Sequence, residues 1–212
     1  MIPYGFTLAY ATSMATLHLE ASTVLREGKN VDFSGQLVAT DGSPIYNRTI
    51  FIEDDTAYTR PDIILAVAVT DAEGKFSTSW KAVQKDNGSP YHFYAKFVGG
   101  KTFGYTRSET YESVFVSYDD TSNHETIPSK TIPSWFKDVS KLWCDGKIRD
   151  IDYDYGLQNL IDYGIIPFQQ SPSEINIPSW VKNDAKWWAE GQIQDNEFTA
   201  VLGYVIGNNQ KV

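Results

Sequence analysis

The sequence predicts an all-β, immunoglobulin-like sandwich over residues 12–118, followed by an all-α domain of two tandem helical hairpins over residues 132–167 and 177–212. Two observations lead to this fold class. Up to residue 118, short runs rich in β-branched and aromatic residues alternate with turn residues at nearly regular intervals, which is typical of all-β domains. Beyond it, the segment Ile-Pro-Ser-Trp occurs at residues 132–135 and again 45 positions later, and self-similarity at a fixed period indicates a repeated structural unit.

About seven β-strands are expected in the first domain. We place them at residues 15–24, 30–39, 45–52, 62–69, 75–83, 91–98 and 106–116. The segments between them include Asp41-Gly42-Ser43-Pro44, Asp71-Ala72-Glu73-Gly74, Asn87-Gly88 and Gly99-Gly100. These residue types favour tight turns because Gly accepts positive φ angles and Asp or Asn bonds to nearby backbone. Seven strands over roughly 100 residues is the size of an immunoglobulin-like sandwich.

Three segments of this domain also carry a family resemblance. They are Val31-Asp32-Phe33-Ser34-Gly35-Gln36-Leu37, the Asp-Gly-Ser-Pro turn at 41–44, and Thr70-Asp71-Ala72-Glu73-Gly74-Lys75-Phe76. Their order resembles that of the bacterial and archaeal immunoglobulin-like or carboxypeptidase-regulatory-like modules of exported surface proteins. The resemblance implies a fold and says little about function, because such sandwiches carry many unrelated roles.

The two hairpins are predicted from the repeat itself. Residues 132–161 share 12 identities over 30 positions with residues 177–206. In the first copy, Pro133 suits the first turn of a helix, Gly146 suits its end, and Asp150 is expected to cap the second helix. Apolar residues at helical spacing follow each start. A unit of about 35 residues is too small to be stable alone, so the two hairpins are expected to pack together.

The second copy resembles a known repeat. Residues 177–193 fit the pattern I-P-S-W-V-K-x-x-A-x-W-W-x-x-G-x-I, which is similar to repeats in predicted exported proteins of ammonia-oxidising archaea. The first copy departs from it, with Leu142 and Cys144 in place of Trp187 and Ala189. The resemblance implies a cell-envelope setting and no catalytic residue.

The remaining segments are interpreted as leader and linkers. Residues 1–11 are mostly apolar and end in Ala9-Tyr10-Ala11, the small-x-small form of a signal-peptidase site. We favour a signal-peptide remnant there, the alternative being an ordinary first β-strand. Residues 119–131 and 168–176 are predicted linkers, the former polar and without apolar periodicity. Together with the resemblances, this favours an extracellular or cell-surface location.

Charge and motifs argue against several functions. The net charge is −9 and Lys/Arg clusters are missing, so nucleic acid and anionic membranes are poor partners. No apolar run has the length of a transmembrane segment. The sequence contains no recognisable catalytic or cofactor motif, which predicts a protein that is not an enzyme and holds no cofactor. The lone Cys144 is expected to be a buried structural thiol.

Two acidic groups were weighed as calcium sites. Asp150, Asp152 and Asp154 alternate as calcium ligands do, but they lack the glycine and glutamate of an EF-hand, and helix capping is the favoured interpretation. The second group is Glu53-Asp54-Asp55 with Asp62 and Asp71, for which a solvated acidic loop is favoured. No metal site is therefore predicted.

Aromatic and asparagine residues supply the candidate binding and modification sites. The candidate binding residues are Trp135, Trp143, Trp180, Trp187 and Trp188. Their periodicity favours a hairpin core, but adjacent helical residues point about 100° apart, so one of the last two must face something else. Asn47 and Asn87 fit the N-glycosylation pattern.

These observations predict a non-catalytic, exported cell-surface protein. The immunoglobulin-like domain would be a spacer or adhesion module, and the Trp-rich hairpins would bind a cell-envelope protein or glycan or anchor the chain. The alternatives are a glycan-binding protein that uses exposed aromatic residues and an accessory subunit of an extracellular metalloenzyme. The sequence does not predict an oligomeric state.

Overall fold

A computed structural model describes residues 15–21, 25–26, 28–55, 62–83, 91–99, 108–114, 116–117, 131–166 and 177–209. The predicted signal-peptide remnant, nearly all of the 119–131 linker, the 168–176 linker and Asn87 lie outside these residues.

The described strands form three sheets. The strands are β1 (Ala15–Ala21), β2 (Leu25–Arg26), β3 (Asn30–Ala39), β4 (Thr49–Asp54), β5 (Ile63–Val69), β6 (Lys75–Lys81), β7 (Tyr91–Phe97), β8 (Ser108–Val114) and β9 (Val116–Ser117). One antiparallel sheet has the order β1-β3-β6, a second has the order β5-β4-β7-β8, and β2 pairs with β9 in parallel. The larger two sheets share a hydrophobic cluster built around side chains such as Phe33, Ile52 and Phe93.

Four helices follow in the order of the two copies. They are α1 (Ser134–Cys144), α2 (Asp150–Asp162), α3 (Val181–Ala189) and α4 (Asp195–Asn209). Helices α1 and α3 pack against each other, and α1 and α2 also lie on strand β5. A second hydrophobic cluster joins the helices to the four-stranded sheet through Phe51, Ile64 and Val67.

The predicted fold class, an immunoglobulin-like sandwich followed by a separate all-α domain, is wrong. The strands are divided among sheets of three, four and two strands, and the helices form a layer on the four-stranded sheet and share a core with it. The prediction assumed strands with one face in water. Instead, every residue of β4 is buried, and β5 is the uninterrupted apolar run Ile63–Val69, as expected of strands covered on both faces.

The helix ends follow a shared local chemistry. Gly146 and Gly191 have positive φ angles of 68° and 77°, which glycine adopts without steric cost. The amide of the next residue bonds back to the helix: Lys147 to the Leu142 carbonyl at 2.8 Å, and Gln192 to the Trp187 carbonyl at 2.7 Å. Both first helices therefore end in the same glycine-terminated turn.

The second helices begin differently from the prediction. Asp150 is the first residue of α2 and not its cap, which is Arg149. The backbone N–H of Arg149 donates to Asp152 Oδ2 at 3.1 Å, and that of Gln194 donates to Glu197 Oε2 at 2.8 Å. The capping carboxylate therefore lies two residues beyond the predicted one in both copies.

Among the described helices, none combines the length and the apolar character needed to cross a bilayer.

Candidate functional site

The two hairpins repeat the same internal contacts. Trp143 Nε1 donates to Asp150 Oδ1 at 2.7 Å, and Trp188 Nε1 donates to Asp195 Oδ1 at 2.8 Å. A buried indole N–H needs such an acceptor. In each copy the hydrogen bond joins the end of the first helix to the start of the second and so fixes the hairpin angle.

An aromatic stack repeats in the same way. The ring of Trp143 stacks on Tyr153 with centroids 3.9 Å apart, and Trp188 stacks on Phe198 with centroids 4.6 Å apart. Both pairs are 45 positions apart in the chain. Residues i and i+45 are therefore structurally equivalent in the core of the two hairpins.

The contacts between the hairpins are reciprocal. Lys137 Nζ lies 5.2 Å from the ring centroid of Trp188, and its equivalent Lys182 has Nζ 4.7 Å from the ring centroid of Trp143. When residue i of one unit contacts j of the other and j contacts i, the units are related by a two-fold axis. The helical layer is thus an internal pseudo-dimer, with α1 against α3 at its centre.

The first copy carries a buried hydroxyl pair that the second lacks. Tyr153 and Ser140 are fully buried and lie side by side, although neither hydroxyl makes a hydrogen bond of normal geometry. The second copy has Phe198 and Ala185 at these positions. Burial raises the pKa of Tyr153, because the apolar surroundings disfavour the phenolate.

This pair leads to a prediction about alkaline stability. A tyrosine whose pKa is raised in the folded state stabilises the folded protein fully at pH values below its unfolded pKa of about 10. This stabilisation is lost as the pH rises further, because the unfolded chain then ionises more readily than the folded one. By pH ~11 we expect wild-type protein to lose about 1.4 kcal/mol more than Tyr153→Phe. Urea unfolding at pH 8 and 11 measures the free energy of unfolding of wild type and Tyr153→Phe. At pH 8 the two values should differ by less than ~1 kcal/mol. Parallel pH profiles would contradict the prediction.

The first hairpin uses one face to cover the four-stranded sheet. Trp135 on α1 is only 5% exposed. Tyr155 on α2 packs against Phe51 of β4, with ring centroids 4.9 Å apart. At Gly156, an added Cβ would lie 3.3 Å from the indole of Trp135. The indole therefore packs closely on α2 at a position where glycine has no side chain.

A buried charge network fixes this face on the sheet. Glu53 on β4 and Lys96 on β7 form an ion pair, with Oε2 and Nζ 3.3 Å apart. Tyr155 of α2 completes it: its hydroxyl donates to Glu53 Oε1 at 2.6 Å and accepts from Lys96 Nζ at 2.6 Å. Because buried charges need their partners, α2 is held in one position.

Tyr94 extends the network to a second carboxylate. Its hydroxyl contacts Glu53 Oε2 and lies 2.6 Å from Asp62 Oδ2. Burial, followed by the charge of Glu53, raises the pKa of Tyr94. The phenol therefore remains protonated, and its single O–H lies between the two carboxylates.

Asn159 of α2 pairs with the backbone of edge strand β5. Its Nδ2 donates to the Asp62 carbonyl at 2.7 Å, and its Oδ1 accepts from the Ile64 amide at 3.5 Å. The carboxamide thus bonds to the strand as a neighbouring strand would. This contact covers an edge whose open donors and acceptors would otherwise attract another strand.

The equivalent face of the second hairpin is exposed. Trp180, the equivalent of Trp135, is 44% exposed, Trp187 is 46% exposed and Tyr204 is 66% exposed. The rings of Trp180 and Tyr204 are neighbours, with centroids 6.5 Å apart. Trp180 and Trp187 are seven residues apart, which places them on one side of α3. We call Trp180, Trp187 and Tyr204 the aromatic face.

Two differences accompany the difference in tryptophan burial. The four-stranded sheet covers the first hairpin, and Val201 occupies the position equivalent to Gly156. A valine beside Trp135 would leave less room for the indole than the glycine on which it rests.

This explanation gives a second prediction. We expect Gly156→Val to destabilise the protein by about 1–3 kcal/mol, because the side chain would overlap the rings of Trp135 and Phe136. The matched control is Gly203→Val in α4, where an added Cβ meets no atom within 4 Å, and which should change stability by less than ~0.5 kcal/mol. Urea unfolding compares them, and equal effects would refute the steric account.

The structure separates the five candidate tryptophans into two groups. Trp135, Trp143 and Trp188 are buried, whereas Trp180 and Trp187 are exposed. Of the glycosylation candidates, Asn47 lies on the surface with a φ of 53°, and Asn87 falls outside the described residues.

The acidic groups weighed for calcium are engaged by protein groups. Asp150 accepts from Trp143, and Asp152 accepts from the guanidinium of Arg149 at 2.7 and 2.8 Å. The predicted solvated acidic loop is wrong at Glu53 and Asp54, which are fully buried in β4. Glu53 is in the buried ion pair, and Asp54 Oδ1 accepts from the His92 amide at 2.9 Å. Within the described part of the chain, no group of three or more His, Cys, Asp or Glu side chains is arranged to hold a metal.

Cys144 is half-buried at the interface between the hairpins. Its Sγ donates to the Lys182 carbonyl at 3.1 Å. Burial raises the pKa of Cys144, so the thiol form is favoured over the nucleophilic thiolate.

An open depression of about 640 Å³ lies beside strands β3 and β6. Its lining includes Gln36, Asp71 and Lys75. Asp71 Oδ1 is already bonded to the amides of Glu73 and Lys75 at 3.0 and 2.8 Å. Gln36 Nε2 likewise donates to the Glu73 carbonyl at 2.8 Å, so two of the polar side chains that line the depression are bonded to protein groups.

Sequence reasoning missed the residues that decide which face is covered. These are Tyr155 and Asn159 in the first copy and Tyr204 in the second. The sequence does contain a feature that distinguishes the two faces. Tyr155 and Asn159 correspond to Ala200 and Tyr204, so the copies differ in polarity at two positions one helical turn apart.

No protein-family model and no curated protein match the chain. Among solved structures, the superoxide reductase (neelaredoxin) from Ignicoccus hospitalis is similar over 48% of this chain and 80% of its own, at 14% identity and a TM-score of 0.34. A likeness this weak supports no conclusion about activity, and the site must be interpreted from its own geometry.

Proposed function

We propose that the protein is a non-catalytic, exported cell-surface protein that binds a partner protein through the aromatic face of its second hairpin. One observation carries the proposal: the face that the first hairpin buries against the sheet is left in water by the second, with three large aromatic side chains on it. Exposed tryptophan and tyrosine side chains grouped on one surface are characteristic of the energetic centre of protein interfaces.

The rest of the fold suits such a role. The first hairpin is fixed to the sheet by the Glu53–Lys96–Tyr155 network, and the second is fixed to the first by the reciprocal Lys–Trp contacts. The aromatic face is therefore presented in a fixed orientation. Preorganised surfaces bind more tightly because less conformational freedom is lost on binding.

The exported location is proposed from sequence features alone. The small-x-small triplet at residues 9–11 and the resemblance of both parts of the chain to exported surface proteins support it. A glycan on Asn47, which lies on the surface, would be direct evidence of export, and intact-mass measurement of native protein detects it.

The test removes two aromatic side chains from the full chain. We expect Trp187→Ala/Tyr204→Ala to reduce retention of an envelope protein on immobilised protein at least tenfold, since interface aromatics contribute ~1–2 kcal/mol or more each. The matched control is Tyr46→Ala, a loop tyrosine 65% exposed that should leave retention unchanged. Equal retention by all three proteins would refute the proposal. Selective retention on a glycan array, lost in the double variant, would favour a glycan ligand.

A further inference from the structure

The pseudo-two-fold axis provides information about the partner. Equivalence of the hairpins is established by the repeated Trp–Asp hydrogen bonds, the repeated aromatic stacks and the reciprocal Lys–Trp contacts. The surface around Trp135 and α2 in the first hairpin is therefore the same structural surface as the one around Trp180 and α4 in the second. Only the first is covered, and what covers it is the outer face of a β-sheet.

We infer that the aromatic face docks on the apolar outer face of a β-sheet belonging to a different protein. The inference rests on the proposed function and identifies the class of partner. A two-helix surface laid across a sheet needs a broad, nearly flat counterpart. The small residues Ala200 and Gly203 suit this contact, since nothing lies within 4 Å of a Cβ added at Gly203 and a flat surface can approach α4 closely.

The substitutions between the copies specify the chemistry of that sheet. In the first copy, Tyr155 satisfies a buried ion pair and Asn159 pairs with an open strand edge. The second copy has Ala200 and Tyr204 at these positions. Ala200 has no polar group, and the single oxygen of the Tyr204 phenol lacks the separate donor and acceptor atoms with which a carboxamide spans a carbonyl and an amide of one strand. We therefore expect the partner sheet to present no buried ion pair opposite Ala200 and no open strand edge opposite Tyr204.

The same comparison argues against a second copy of this chain as the partner. Its four-stranded sheet is already covered by its own first hairpin. If that hairpin were displaced, the second hairpin would leave Glu53 and Lys96 without the Tyr155 hydroxyl, and an under-satisfied buried charge is costly.

The test uses photo-crosslinking with the full chain. The photoreactive analogue p-benzoylphenylalanine is incorporated in place of Tyr204, with Tyr46 as the control position, and irradiated with native envelopes before the crosslinked peptides are mapped. We expect crosslinks from position 204, and not from position 46, to outward-facing strand residues of another protein. Crosslinks to a helix, a loop, a glycan or a second copy of this chain would overturn the sheet inference and leave the proposed function standing. Crosslinking at position 204 that is no stronger than at position 46 would overturn both the sheet inference and the proposed function.

Two variants and a salt series test the chemistry of the contact. Ala200→Tyr/Tyr204→Asn gives the second hairpin the polar set of the first, and we expect it to lose binding at least tenfold, while Tyr204→Phe binds within about threefold of wild type. Binding should change by less than about threefold between low and high salt, because the contact contains no ion pair. Tighter binding by the double variant, or a steep salt dependence, would overturn the inference.

Discussion

Glu53→Ala is expected to destabilise the folded protein by about 3–5 kcal/mol, the cost of removing one member of a buried ion pair. Glu53 is fully buried. Its carboxylate is the acceptor for Lys96 Nζ and for the hydroxyls of Tyr94 and Tyr155. Removing it takes away the carboxylate that pairs with the Lys96 ammonium and leaves that ammonium buried beside two phenols. Urea unfolding monitored by tryptophan fluorescence measures the loss.

Replacing the whole network should have a different result. In Glu53→Leu/Lys96→Leu/Tyr155→Phe both charges of the ion pair are gone, and we expect stability equal to wild type or up to about 4 kcal/mol higher. The exposed pair Lys186 and Glu190, whose charged atoms are 4.0 Å apart, supplies the control, since Glu190→Ala should change stability by less than ~0.5 kcal/mol. If Glu53→Ala cost no more than Glu190→Ala, the network would not hold α2 on the sheet.

The local features of the helical layer could be predicted because they depend on nearby residues. Gly146 marks the end of the first helix, since glycine adopts positive φ. Pro133 marks its start, although as the extended N-cap and not within the first turn as predicted. The capping carboxylate could not be assigned uniquely, because Asp150 and Asp152 both suit the first turn of a helix. The choice depends on the Trp143 indole, which takes Asp150 as its acceptor.

The arrangement of layers could not be predicted in the same way. It depends on pairs distant in sequence, such as Glu53 with Tyr155, 102 positions apart. Only the uninterrupted apolar run of β5 indicated that this strand is covered on both faces. A count of strands and turns does not distinguish such a run from a strand with one face in water, and for this reason the predicted fold class was wrong.

The exposed aromatic face could be identified only by comparing the two copies of the repeat. Periodicity alone predicted that the tryptophans form a core, and it treats Trp135 and Trp180 alike. Their burial differs: Trp135 shares a core with the sheet, and the neighbouring helix position is Gly156 in its copy and Val201 in the other. Differences between internal repeats, more than their identities, indicated which surface is open.

The adjacent tryptophans of α3 should give opposite results. We expect Trp188→Ala to cost about 3–5 kcal/mol, as large-to-small substitutions of buried tryptophan do, whereas Trp187→Ala should cost less than ~1 kcal/mol because about half of its side chain is already in water. Trp188 is fully buried, stacks on Phe198 and donates to Asp195. Its removal takes away both the stack and the hydrogen bond that set the hairpin angle.

Trp188→Ala should also destabilise the first hairpin. Phe136 of α1 lies against Trp188 with ring centroids 5.9 Å apart, and Lys137 lies over the indole. We therefore expect a single cooperative transition at lower urea for Trp188→Ala, not separate melting of the second hairpin. Trp188→Phe keeps the stack and loses the indole N–H, so it should fall between the two alanine variants, at about 1–2 kcal/mol. Equal losses at 187 and 188 would contradict the separation of this helix into a buried side and an exposed side.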